Sequence, residues 1–213
     1  MMNGVAADGH HQQWHDLESG PHGASAGISC FSCHDPHKST SGNIKTSAKM
    51  GGVTVATKSN DNSLCLSCHA GSGVFAALTE TDVAGIAAQP NSDAVMEAVY
   101  SHLVARAGYP VDDVKKASWK SKYLTSVQVN GNAATFGIAV YRVGECITCH
   151  MPFSAKSGIK VGTNANGRSQ GDQRAHSMKT LWSGLNDLTA TKGLTGTGSV
   201  TSCSACHPVT LTP

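Results

Sequence analysis

The chain has 213 residues, 16 Lys and Arg against 14 Asp and Glu for a formal net charge of +2, only 5% aromatic residues, and 23 Gly. That balance excludes the basic stripe of a nucleic-acid binder, and the lack of any run of about 18 apolar residues excludes a membrane-spanning helix. With 39% hydrophobic residues the side chains offer less apolar surface than a domain of this length ordinarily buries, so something else must fill the interior.

Residues 1–10 have neither the charged n-region nor the apolar h-region of a secretion signal. His10, His11, His15 and His22 cluster ahead of the first cysteine. Residues 11–17 predict a short helical turn that Gly20-Pro21 ends, leaving His22 in an irregular approach. Next comes Cys30-Phe31-Ser32-Cys33-His34-Asp35-Pro36-His37, a C-x-x-C-H motif with a second histidine three residues on. Residues 38–63 are rich in Ser, Thr, Gly, Asn and Lys and predict a surface loop, with one strand at Val53–Ala56 after Gly51-Gly52. The motif returns as Cys65-Leu66-Ser67-Cys68-His69.

Ser92 is a good N-cap with Asp93 in the first turn, and Val95, Val99, His102 and Arg106 recur at helical spacing until Gly108-Tyr109-Pro110 stops the helix. A shorter helix is expected over 111–118. Over 123–140 the period changes: Val127 and Val129 alternate with polar residues, Asn130-Gly131 signals a turn, and Phe136, Ile138 and Val140 alternate on the return. A β-hairpin follows from this pattern. The third motif is Cys146-Ile147-Thr148-Cys149-His150. Asp172 can cap a short helix containing His176, Met178 and Leu181. After a Gly- and Thr-rich stretch the fourth motif is Cys203-Ser204-Ala205-Cys206-His207. No repeat beyond the motifs and no domain boundary is visible, so 1–213 reads as a single domain.

The four motifs use all 8 cysteines, leaving none for disulfides. A zinc ribbon also pairs C-x-x-C and a redox dithiol uses one, but neither requires the histidine that follows. Four chance placements of histidine there have a probability of about one in a hundred thousand, and C-x-x-C-H is the attachment signature of haem c. Two thiols add to the two vinyl groups on one edge of the macrocycle, and the next residue delivers an imidazole to the iron. Cys30, Cys33, Cys65, Cys68, Cys146, Cys149, Cys203 and Cys206 are therefore expected to hold four haems c, with His34, His69, His150 and His207 on their irons. The fold class expected is mostly irregular chain, with a few short helices and one β-hairpin, wrapped around a closely packed row of four haems. Thioether attachment takes place outside the cytoplasmic membrane. The expected location is therefore extracellular or periplasmic, with a signal peptide already removed.

Four further axial ligands are needed if every iron is six-coordinate. His37 cannot bind the iron of His34, because three residues are too short to pass round the edge of the macrocycle. It is expected to serve a second haem packed close to the first, the bland alternative being an exposed histidine in an Asp-Pro turn. His102 and His176 are each the only spare histidine of their region. His22 is favoured in the N-terminal cluster as the nearest to the first haem, with His10, His11 and His15 as alternatives. Met151 directly follows His150 and is excluded from that iron, whereas Met50, Met96 and Met178 are the competing methionine ligands.

The C-x-x-C-H-x-P-H pattern of Cys30, Cys33, His34, Pro36 and His37 resembles the signature of multihaem c-type cytochromes, and Leu64-Cys65-Leu66-Ser67-Cys68-His69 resembles that family's second motif. Four haems on so small and irregular a chain are similar to the tetrahaem extracellular cytochromes that polymerise into filaments, the cytochrome nanowires of the OmcE type. The resemblance implies bis-histidine irons in a continuous stacked chain and identical subunits in a helical homopolymer. It also implies one axial histidine donated between subunits, His37 being the first candidate and His10, His11 or His15 the alternatives. No motif is C-x-x-C-K, so the lysine-ligated catalytic haem of the nitrite reductases is missing. The expected function is electron transfer to other redox proteins or extracellular acceptors, not catalysis. The alternatives are a soluble periplasmic tetrahaem shuttle with all ligands in one chain, and a small multihaem reductase with one open iron.

Overall fold

The computed structural model describes residues 13–39, 41–107, 112–128, 140–151, 153–155, 173–174, 176 and 178. They fall into two compact units, one spanning Cys30–Thr125 and the other combining Met1–Ser29 with Ser126–Pro213.

The other unit opens with α1 (Gln13–Ser19), which runs two residues beyond the predicted turn. Pro21–Ser25 then form a π-helical turn, so His22 lies in a wound segment and not in the irregular approach expected. Strands β3 (Ser126–Gln128) and β4 (Val140–Arg142) make the predicted antiparallel hairpin, but Val127 pairs with Tyr141. A two-residue turn at Asn130-Gly131 would have put residue 134 opposite Val127. The register found therefore departs from the local turn signal. The connection over 129–139, with Phe136 and Ile138, lies outside the described residues.

In the Cys30–Thr125 unit, α2 is a single turn (Cys30–Cys33) and α3 spans Ser63–His69. Between them β1 (Ser47–Met50) pairs with β2 (Val53–Ala56), Met50 opposite Val53 across the two-residue turn Gly51-Gly52. Gly51 has φ +54, a left-handed conformation that favours glycine at this turn. Strand β2 matches the expected strand, and β1 lies in the stretch expected to be a surface loop. Helix α4 (Glu80–Gly85) begins at a capping box: the Asp82 N–H donates to the Thr79 hydroxyl at 3.2 Å and the Thr79 N–H donates to the Asp82 carboxylate at 2.8 Å.

Helix α5 (Asp93–Ala107) follows the expected stripe, with Val95 and Val99 buried. Together with Val55, Leu66, Val83 and Ile86 they form the core of this unit. Helix α6 (Asp113–Lys122) starts two residues later and ends four later than expected, because Asp112 caps it by accepting from the Lys115 N–H at 2.9 Å. Lys116 and Lys120 bind Glu97 at 3.1 and 3.2 Å and tie α6 to α5. No helix among the described residues is long and apolar enough to cross a membrane.

Candidate haem sites

The three described motifs all place their cysteines on a helical turn: α2, α3, and in the other unit α7 (Cys146–His150). Residues three apart on a helix share a face, so both thiols of each motif are presented together, as two bonds to one macrocycle edge require.

Around the first motif the chain doubles back. The Asp35 N–H donates to the Asn43 carbonyl at 2.8 Å and the Lys45 N–H to the Cys33 carbonyl at 3.0 Å, laying the returning loop beside His34. His34 Nδ1 then sits 2.7 Å from the carbonyl oxygen of Gly42. A carbonyl only accepts, so Nδ1 carries the proton and Nε2 keeps its lone pair for a metal. Gly42 reaches this position at φ +66, a left-handed conformation that glycine adopts freely. His37 occupies the Asp-Pro turn, its N–H donating to the Asp35 carboxylate at 3.0 Å, and its ring is exposed.

The second motif is anchored from inside. Leu66 is 1% exposed and Ser67 is buried, while Cys68 and His69 at the end of α3 are exposed. Asp61 is buried and accepts from both the N–H and the hydroxyl of Ser63, which pins the first turn of α3. The first two motifs are neighbours: burial pushes the Cys33 thiol up, and the thiols of Cys65 and then Cys68 raise it further. His102, half-buried on α5, packs its ring against Phe75 at 5.3 Å between centroids. Phe75 lies on the 3-10 turn Gly73–Phe75 that follows the second motif. This unit therefore contains two attachment helices together with His34, His37, His69 and His102.

The third motif repeats the first motif's geometry. Thr148 is buried and donates to the Arg142 carbonyl at 2.6 Å, which locks α7 on the end of β4. His150 Nδ1 lies 2.9 Å from the carbonyl of Met178, again leaving Nε2 for a metal. The segment that supplies this carbonyl is not the predicted helix: Gln173–Arg174 form β6, paired with β5 (Phe153–Ala155), and Met178 has φ +55. Pairing with the strand that leaves α7 outcompetes the local helix signal at Asp172. The His176 N–H donates to the buried Asp16 carboxylate at 3.4 Å. Burial pushes that carboxyl up, against the lowering effect of the His176 N–H and of the His176 and His15 rings.

His22 is half-buried in its π-helical turn, where its carbonyl accepts from the Ile28 N–H at 2.9 Å, and His15 is exposed on α1. Met50 and Met96 are half-buried and pack against the core. Cys203, Cys206, His207, His10 and His11 lie outside the described residues. The groups that sequence reasoning missed are the carbonyls of Gly42 and Met178 and the carboxylates of Asp16 and Asp61. Only Gly42 gave a signal, a glycine in a polar loop beside a motif.

Each described motif sets two cysteines three apart on a helical turn with an imidazole directly after them, and at His34 and His150 the Nδ1 is tied back to a carbonyl, so the described residues fit a haem c. Among them, no three His, Cys, Asp or Glu side chains converge to hold a bare metal ion. No curated protein and no solved structure matches the chain. Residues 22–73 match the family model of the doubled CXXCH motif, and that match, on the two neighbouring attachment helices, points to a multihaem c-type cytochrome with covalently bound haem c.

Proposed function

We propose that the protein is an electron conductor carrying four bis-histidine haems c in a stacked row, and that its copies assemble end to end into an extracellular filament. The observation that carries the haem reading is the shared geometry of His34 and His150, each with Nδ1 held by a backbone carbonyl at 2.7 and 2.9 Å. A bis-histidine haem supplies a reversible one-electron couple at an iron with no open coordination site.

The chain's own residues then have three tasks. The cysteine pairs fix each attachment edge, the carbonyls of Gly42 and Met178 hold the axial rings in one orientation, and the buried faces of α3 and α7 keep the attachment turns rigid. Donation from Nδ1 to a carbonyl makes the imidazole a stronger base, which favours the ferric state and lowers the potential. The chain after the first motif is tied back at Cys33 and leads into β1 and β2, whose Val55 shares one core with Leu66 of α3, which supports a close pair, as electron hopping requires.

The filament reading rests on His37. It cannot reach the iron of His34, its ring is exposed, and it is thereby available to a haem of the next copy.

Electron microscopy of the haem-loaded protein at micromolar concentration tests this. Uniform thin filaments, lost in His37→Ala without loss of haem, are the expected result. Dispersed monomers of the haem-loaded chain would replace the filament with a soluble shuttle, and carbon monoxide binding to the reduced wild type would replace both with a reductase.

A further inference from the structure

Met178 and His176 are two residues apart, and the structure holds them both by the backbone. The Met178 carbonyl accepts from His150 Nδ1 at 2.9 Å, and the His176 N–H donates to Asp16 Oδ2 at 3.4 Å. Just before them Arg174 is paired with Phe153, three residues after His150. The segment is therefore fastened to the motif at Arg174 and again at Met178.

These fastenings decide which side of the third haem the segment occupies. His150, as the ligand to the iron of a macrocycle held by Cys146 and Cys149, would bind it through Nε2, because Nδ1 is taken by the Met178 carbonyl, so Nδ1 would face away from that iron. The Met178 carbonyl lies farther out still, behind the imidazole. Two residues span at most about 7 Å between Cα atoms. A second axial ligand of the same iron would have to come from the opposite face, beyond the edge of the macrocycle. A chain starting behind His150 cannot round that edge within two residues and bring an imidazole back to the centre. The same limit excludes the Met178 thioether from that iron.

We infer that His176 is an axial ligand to the iron of a different haem, one packed against the His150 side of the third haem. Asp16 is the positioning residue that holds the His176 backbone there. One short segment then serves two haems: its carbonyl orients the ligand of one and its imidazole binds the other. The inference rests on the haem-loaded reading above.

The test uses the full haem-loaded chain. His176→Ala should retain all its haem by mass and convert one haem per chain to a five-coordinate, high-spin form that binds one carbon monoxide when reduced. The same substitution in a Cys146→Ser, Cys149→Ser, His150→Ala background, which lacks the third haem, should still produce one such haem. If no five-coordinate haem appears in the first variant, or if it disappears in the second, the assignment is overturned. Should the background chain fail to fold, paramagnetic NMR of the wild type decides. Cross-relaxation from the His176 ring protons to the haem bridged to Cys146 and Cys149 overturns the assignment, and to any other haem supports it. A chain that carries no covalent haem would instead sink the haem reading itself, so the two failures are separable.

Discussion

The Asn62 amide donates to the hydroxyl of Tyr123 at 2.8 Å, joining the residue that precedes the second attachment helix to the end of α6. Both residues are 3% exposed. Tyr123 also meets Trp119 edge to face at 5.2 Å, which fixes the ring that presents the hydroxyl. Removing the acceptor while the amide stays buried costs about 1–3 kcal/mol. Tyr123→Phe should lower stability by that amount in urea unfolding of the haem-loaded protein, with no change in haem content.

Leu66 and Phe31 hold the same place in their motifs, yet Leu66 is 1% exposed and Phe31 is 67% exposed. The sequence position is equivalent and the packing is not. Leu66→Ala opens a cavity at the centre of the core and should destabilise by about 2–5 kcal/mol. Phe31→Ala should stay within about 0.5 kcal/mol of wild type. The same unfolding measurement, made on both variants, checks the contrast.

What could be read beforehand followed the strength of local signals. Helix α5 was legible because Ser92 precedes it and Val95 and Val99 mark its buried stripe. Strand β1 was not, because Ser47-Ala48-Lys49-Met50 contains no β-branched or aromatic residue and becomes a strand only through pairing with β2. The Asn130-Gly131 turn signal was overridden by the pairing of Val127 with Tyr141. The motif histidines were legible from spacing alone. Their carbonyl partners were not, since every residue carries a carbonyl, and nothing in a methionine announces the φ of +55 found at Met178.

Hydrogen bonds from the Thr79 hydroxyl and then from its N–H hold the Asp82 carboxyl below the usual carboxylate range, with slight burial acting against them. A carboxyl depressed in the folded state binds fewer protons there than in the unfolded chain. Its contribution is therefore complete above the unfolded value of 3.8 and is lost as the pH falls through the folded one. Thr79→Ala should cost about 0.5–2 kcal/mol near neutrality. The gap to wild type should narrow below about pH 4, where the carboxyl takes up its proton. Thermal unfolding of both proteins across this range measures the difference and cancels every other titrating group.

Gly42 offers a direct test of the imidazole brace. Its φ of +66 places the carbonyl 2.7 Å from His34 Nδ1, and a Cβ there would meet only Ile44 at 3.9 Å. Gly42→Ala therefore adds no clash and acts through the backbone, which a side chain drives away from the left-handed region at about 1–2 kcal/mol. As the carbonyl swings off, the imidazole becomes a weaker base and stabilises the ferric iron less, so the potential of the first haem should rise. Gly27→Ala is the control: at φ +63, with nothing within 4 Å of the added Cβ, it carries the same backbone penalty away from His34. A spectroelectrochemical titration should show one of the haem potentials shifted upward in Gly42→Ala and none in Gly27→Ala. Equal shifts in both would assign the effect to lost stability and not to the hydrogen bond.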